Sequence, residues 1–267
     1  MKNEGVQLDS SGAVVSYPLN EAGRDFIVGD IHGSFTMLER ALEKASFDAS
    51  RDRLFCVGDL VDRGPESGRV LSFLDRMHCV RGNHEEMLLG LYADGAVSER
   101  RLQLLADDEM IGMRWWLNES ADSRRKILAA FHRLPLAIEV QTSIGVVGIV
   151  HAEVPPGIDW KTFCKALGDS SARVVWHALW GKTRLEHGNR SGVAGIARVF
   201  SGHVVQRDGV LGLGNVFFID TGAVFRDIMA VDFCRLTMVN IAMRSCDITA
   251  PLADDPDIDV RDVTPQV

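Results

Sequence analysis

The stretch VGDIHGSF (residues 28–35) ends an apolar run in an acid and a histidine two positions apart. In an extended segment, residues i and i+2 project to the same side, so Asp30 and His32 can hold one object between them. Five further segments end the same way. VGDLVDRG supplies Asp59, Asp62 and Arg63, and RGNHE supplies Arg81, Asn83 and His84. GIVHAE adds His151, FSGH adds His203 and FIDTGA adds Asp220. Each group follows an apolar run directly. Ligands of α/β sheets bind beyond the carboxyl ends of strands, so residues scattered from Asp30 to His203 can converge there.

The residue types define the chemistry such convergence would allow. Asp30, Asp59, His32, His151, His203 and the amide oxygen of Asn83 are hard-to-intermediate donors with no thiolate among them. They suit manganese, with iron or zinc as alternatives. Six protein groups exceed the needs of a single ion. Two divalent ions about 3.5–4 Å apart would use them all, with Asp59 as the bridge, acidifying a water between them and clamping the oxygens of an in-line displacement. Phosphate esters are the matching substrate, because Arg63 and Arg81 sit in the same loops and a guanidinium fork grips phosphate oxygens bidentately. His84 can protonate the leaving oxygen, with Asp62 orienting it. Asp220 reads as a turn residue of DTG, since the donor set is already filled. His78, His132, His177 and His187 lie outside these motifs and read as structural or exposed. WGKT is no phosphate loop, because Trp176 stands where that loop needs glycine.

The elements that must position these groups follow from periodicity. DFIVG (25–29), RLFCVG (53–58) and HCVRG (78–82) read as strands, each followed by a loop and a helix. Three such units in a row imply a parallel sheet. In the first helix, Phe35, Leu38, Leu42 and Ala45 recur at helical spacing with Ser34 as cap. Residues 92–134 read as a charged helical insertion, in which one of the adjacent Trp115 and Trp116 is core. After Pro135 the texture is β-rich: LAIEV, GVVGIV, RVFSG, VFFID, IMAVDF and LTMVNIAM, with GVLGLGNV as a hairpin. A β–α half followed by a β-rich half predicts two sheets packed face to face with helices outside. The chain is expected to form a single domain over 1–267, with a core at about 24–235 and an extension at 1–23. The acidic tail, 251–267, is expected to be flexible.

Composition bounds the class. The 267 residues hold 29 Lys and Arg against 37 Asp and Glu, a formal net of −8. That acidity argues against a nucleic-acid or membrane-surface partner, which would show a basic stripe. No apolar run approaches the roughly 20 residues of a spanning helix, and the polar start MKNEGVQLDSSG lacks a signal-peptide core. Five scattered cysteines without a CxxC pair suit a reducing cytoplasm. Oligomeric state is not legible.

GDIHG, GDLVDRG and RGNHE, followed by a lone strand-end histidine and then GH, resemble the phosphoprotein phosphatase family of metallophosphoesterases in its bacterial and bacteriophage branch. The likeness runs from about Asp25 to Phe225. It implies an α/β, four-layer αββα calcineurin-like fold of two mixed sheets. By position, Asp30 and His32 match ligands of the first metal, Asp59 the bridge, and Asn83, His151 and His203 ligands of the second. His84 matches the general acid, Asp62 its partner, and Arg63 and Arg81 phosphate-binding arginines. The family usually carries a further arginine two residues after a tryptophan; here Lys182 stands there, with Arg184 two residues on. GHV replaces the more frequent GHT.

The resemblance implies a metal-dependent serine/threonine-type protein phosphatase. It would act on phosphoproteins or phosphopeptides by direct attack of hydroxide held between two metals, with broad specificity. Symmetrical dinucleoside tetraphosphate hydrolases are the nearest rival, but that group usually has alanine at the position of Asp62 and GNHD in place of GNHE. A non-catalytic phosphoprotein-binding scaffold is the other alternative, and such a protein would be expected to have lost donors or His84.

Overall fold

Within the segment Asp25–Val28, Phe26 and Val28 join one buried apolar cluster and Ile27 another, as the period-two alternation of a strand requires. The same division recurs through the computed structural model, which describes residues 6–9, 11–229, 231–249 and 255–262. The strands of the first half are β1 (Gln7–Leu8), β2 (Val14–Tyr17), β3 (Asp25–Val28), β4 (Arg53–Cys56) and β5 (His78–Cys79). Those of the second half are β6 (Ala137–Thr142), β7 (Gly145–Val150), β8 (Arg198–Ser201), β9 (Leu211–Leu213), β10 (Val216–Phe218), β11 (Leu236–Asn240) and β12 (Ile258–Arg261). They form a five-stranded sheet in the order β12-β11-β3-β4-β5 and a seven-stranded sheet in the order β1-β2-β6-β7-β8-β10-β9. Both are mixed: β3, β4 and β5 run parallel, β11 opposes β3, and the β6–β7 and β9–β10 pairs are antiparallel.

Three apolar layers hold the sheets and helices together. Ile27, Phe55, Ile149, Phe200 and Phe217 fill the space between the sheets. Phe26, Leu54 and Met238 face the helices of the first half, among them Phe35–Lys44, Asn83–Leu91 and Ala121–His132. Val150, Val199, Val216 and Phe218 face the helices Trp160–Gly168 and Ala172–Trp180. The architecture is therefore the α/β, four-layer sandwich expected. Each fully buried phenylalanine or isoleucine of the central layer contributes about 1.5–3 kcal/mol through the hydrophobic effect, so the two sheets are fixed face to face. No helix among the described residues is long and apolar enough to cross a membrane. All five cysteines are free.

Several expectations are corrected. Part of the supposed N-terminal extension, β2, pairs in parallel with β6 inside the larger sheet. The described part of the acidic tail, residues 255–262, holds β12, which pairs in parallel with β11, and is tied by Asp257 to Arg40 and Arg226; residues 251–254 and 263–267 lie outside the described residues. Alternation at Ile258 and Val260, rather than net charge, decides that segment. IMAVDF begins inside the helix Ala223–Met229, because so short an apolar run carries no period that separates helix from strand. Ser34 makes no side-chain cap bond. Glu66 instead takes the Thr36 amide at 2.7 Å.

Deleting residues 255–267 strips β11 of one of its two partner strands, leaving only β3, and exposes Ile258's site. The denaturant midpoint should fall by the equivalent of at least about 2 kcal/mol; an unchanged midpoint would show that β12 contributes nothing.

Candidate metal centre and active site

The loops after β3, β4, β5, β7 and β8 meet over one end of the sandwich, and their backbones are unusually bent there. Seven non-glycine residues adopt positive φ among those described, and five of them are His32 (44°), Asp59 (50°), Asp62 (71°), Arg63 (65°) and His203 (70°). Such conformations are costly for non-glycine residues and persist where surrounding bonds over-determine them. Those bonds are present. Asp59 O accepts from the amides of Ile31 (3.1 Å) and His32 (2.8 Å), which ties the first two motifs together. Glu85, wholly buried, accepts from the amides of Asp59 (3.0 Å), Leu60 (2.8 Å) and Gly82 (2.8 Å), which ties the second to the third. Asp30 Oδ2 accepts from His203 N at 3.0 Å, which joins the first to the last.

The donor atoms converge on Asp59. Its Oδ2 lies 3.4 Å from His32 Nε2 and its Oδ1 lies 3.5 Å from His151 Nε2, so the two oxygens face different imidazoles. His32, Asp59 and His84 form one group of possible ligand atoms, and Asp59, His151 and His203 another. Asn83 Oδ1 stands 2.8 Å from His151 Nε2 and 2.9 Å from His203 Nδ1.

Whether this nest fits cations can be tested on protons. His151 Nδ1 is 2.8 Å from Val57 O and His32 Nδ1 is 2.8 Å from Val61 O. A carbonyl only accepts, so both rings carry their proton on Nδ1 and turn the Nε2 lone pair inward. In His151 that lone pair meets the Asn83 and Asp59 oxygens, acceptors facing acceptors. Asp30 Oδ1 is likewise buried with no hydrogen-bond partner among the described residues, and a Cβ on Gly202 would collide with it. Buried acceptors without donors are costly. Divalent cations at these positions would satisfy all of them, so the residues fit the group.

The electrostatics agree. Burial raises the carboxyl of Asp30 well above its usual range, with Asp220 and Asp59 adding repulsion. Burial likewise pushes Asp220 up to about 7, against its bond from Gly222 N, with Asp59 adding to the rise. Burial acts in the same sense on Asp59, yet His151, His84 and His32 outweigh it and hold that carboxyl well below its usual range. Burial drives His32 well below the ordinary imidazole value, lowers His151, and, with His151 beside it, brings His203 down to about 4. Neutral imidazoles are the form that ligates. His84 goes the other way: burial opposes its protonation, but Asp59 and Asp62 raise it. A protonated ring is what an acid needs.

His84 Nδ1 donates to Asp62 Oδ2 at 2.8 Å, with both side chains nearly wholly buried. Arg63 Nη1 donates to His32 Nε2 at 2.6 Å, which places a guanidinium among the donors. The Arg81 fork is held by Glu86 (2.9 Å) and the carbonyls of His132 and Leu134. Lys182 is exposed and lies 3.4 Å from Glu186. Arg184 is not presented as a phosphate grip: it is 1% exposed, and its guanidinium donates to the carbonyls of Asn189 and Ser191. Asp220 does serve its turn, yet burial against Asp30 also makes it part of the site's charge. Sequence reasoning missed the structural role of Glu85, although it is the last letter of RGNHE. It also missed Trp115, whose Nε1 donates to Asp62 Oδ1 at 2.6 Å.

A face-to-face pair of mixed sheets with cation donors gathered at their shared end defines a metallophosphoesterase. The chain belongs to the calcineurin-like phosphoesterase family, whose model matches residues 26–207, and its relatives put it in the phosphoprotein phosphatase branch. It is 36% identical over 207 residues to serine/threonine-protein phosphatase 1 of Salmonella typhimurium strain LT2, covering 75% of this chain and 87% of that one. It is also 35% identical over 129 residues to a symmetrical bis(5'-nucleosyl)-tetraphosphatase of Buchnera aphidicola subsp. Baizongia pistaciae, covering 44% and 46%. A solved structure provisionally described as a diadenosine tetraphosphatase shares the fold, with a TM-score of 0.55 at 24% identity, covering 85% of this chain and 92% of that one. The protein is a phosphatase enzyme of this family with residues suited to divalent metal.

Glu85→Gln turns an amide N–H₂ toward backbone N–H groups that need an acceptor. Affinity for Mn²⁺ measured by calorimetry should fall about 10–100-fold, the usual effect of losing a group that orients the ligands. Unchanged affinity would show that the three motifs hold together without it.

Proposed function

We propose that the enzyme is a serine/threonine-type protein phosphatase that hydrolyses phosphomonoesters with two divalent cations, manganese foremost. Asp30 and His32 would hold one, Asn83, His151 and His203 the other, and Asp59 both. When bound, such a pair supplies a nucleophilic water at neutral pH and compensates charge on the phosphoryl oxygens.

The protein's own groups do the rest. The observation that carries the reading is the 2.8 Å bond between His84 Nδ1 and Asp62 Oδ2. It fixes the ring and favours its charged form, leaving Nε2 to deliver a proton to the departing serine or threonine oxygen. An alkoxide is a poor leaving group, so this transfer matters more for a phosphoserine than for an anhydride. Arg63 and Arg81 would orient the phosphoryl group by turning their guanidinium groups from their present partners, His32 Nε2 for Arg63 and Glu86 with the carbonyls of His132 and Leu134 for Arg81. Lys182 would add a point charge where the family has a fork. The match over 87% of the Salmonella phosphatase supports the same choice.

Hydrolysis of symmetrical dinucleoside tetraphosphates is the second reading, favoured by the relative from Buchnera aphidicola over part of its length. Its leaving group is a nucleotide, which needs no acid of this kind.

The manganese-loaded protein should cleave a phosphoserine peptide with higher kcat/KM than diadenosine tetraphosphate, and chelator should abolish both activities. His84→Asn should lower kcat on the peptide about 10²–10⁴-fold. Preference for the tetraphosphate, or a smaller loss, would reverse the assignment.

A further inference from the structure

The helices between Tyr92 and Pro135 hold none of the cation donors, yet one of their side chains reaches the acid. The four-residue helix Arg114–Leu117 carries Trp115 and Trp116. Trp116 is core, 1% exposed, and donates to Tyr92 Oη at 2.9 Å. Trp115 packs on it edge to face at 5.3 Å and points its indole N–H at Asp62 Oδ1, 2.6 Å away. The other oxygen of Asp62 accepts from His84. Trp115, Asp62 and His84 therefore form one continuous hydrogen-bonded line.

The same insertion clamps the backbone beneath that line. Arg63 N donates to Gly112 O at 3.0 Å, and Arg63 Nε donates to Met110 O at 3.1 Å. Asp62 and Arg63 are consecutive left-handed residues. Gly112 has φ +72° itself, and a Cβ there would lie 2.5 Å from Arg63 Cα, so the two segments meet backbone to backbone. Asp62 is 1% exposed. Loss of the indole N–H would leave a carboxylate oxygen shielded from bulk solvent to seek another donor. The nearest donor already in its grip is His84, whose ring would have to turn.

We propose that Trp115 is a positioning residue for proton delivery: its N–H pins Asp62 so that Asp62 in turn holds the His84 ring in register with the leaving oxygen. The insertion is thereby part of the acid machinery. This rests on the reading of His84 as the acid. The plain alternative is that Trp115 only packs against the core. The two differ in chemistry, because a misplaced acid hurts a reaction in proportion to the basicity of its leaving group, whereas a loosened core slows all substrates alike.

Trp115→Phe keeps an aromatic ring but removes the N–H together with part of the ring's volume. Its kcat on phenyl phosphate should fall about tenfold, while kcat on 2,4-dinitrophenyl phosphate stays within about twofold and KM for both stays put. In an Asp62→Asn background the substitution should add nothing further. In the metal-free protein, the Trp115 indole N–H resonance should move when Asp62 becomes Asn. Equal losses on the two esters, no loss on either, full additivity with Asp62→Asn, or an unmoved resonance would each overturn the proposal. If the unsubstituted protein cleaves neither ester, the phosphatase reading fails and this proposal with it. The resonance then shows whether the contact itself survives.

Discussion

Asp59 sets the terms for everything around it. One carboxylate, 2% exposed, turns its two oxygens to different imidazoles and takes the His84 amide as well. A buried charge of that kind needs compensation of comparable strength. The protein supplies Arg63, which donates to His32 Nε2, and His84, while His151 turns its Nε2 lone pair toward Asp59 and Asn83. Native chains do not keep acceptors facing acceptors unless something positive belongs between them. Burial raises Asp30 and Asp220, and repulsion from Asp59 adds to both. The donor chemistry around them suits divalent cations.

Holding such a nest together requires stored strain. The left-handed residues His32, Asp59, Asp62, Arg63 and His203 each oppose local preference, at a cost on the order of 1–3 kcal/mol apiece. Compensation comes from bonds between motifs rather than within them. Asp59 O takes two amides of the first loop, and Glu85 takes three amides of the second and third. Asp30 reaches across to His203 N. The sheets contribute rigidity: Ile27, Phe55 and Phe200 lock the strands whose ends carry the loops. The loops can be bent because the strands cannot move.

This division explains what could be read from the chain and what could not. Strand–acid–glycine patterns are local, so the positions of Asp30, Asp59, Asn83, His151 and His203 were legible, as were the strands leading to them. Three features were not legible for physical reasons. Positive φ at His32 or Asp59 has no residue-type signal, since neither is glycine. The fate of Arg184 depends on whether carbonyls such as those of Asn189 and Ser191 lie within reach, which is a tertiary fact. The acidic C-terminal stretch looked too charged to pack, yet Asp259 finds Arg261 beside it and both are buried. Net charge misleads where the charges pair.

The insertion shows why position in sequence says little about position in mechanism. The cation donors come from strand ends that both sheets fix, so their spacing follows from the sandwich. The proposed acid has no such support. His84 lies at the start of the helix Asn83–Leu91, but its orientation depends on Asp62, and Asp62 sits in a left-handed turn with nothing from either sheet to hold its side chain. Support has to come from outside, and the segment 110–116 gives it through one indole N–H and two backbone carbonyls. In the proposed mechanism, cation binding and proton delivery would thus be held by different parts of the fold. A change in the insertion can retune the acid while leaving the donor nest intact, whereas a change at Glu85 or Gly202 disturbs the nest itself.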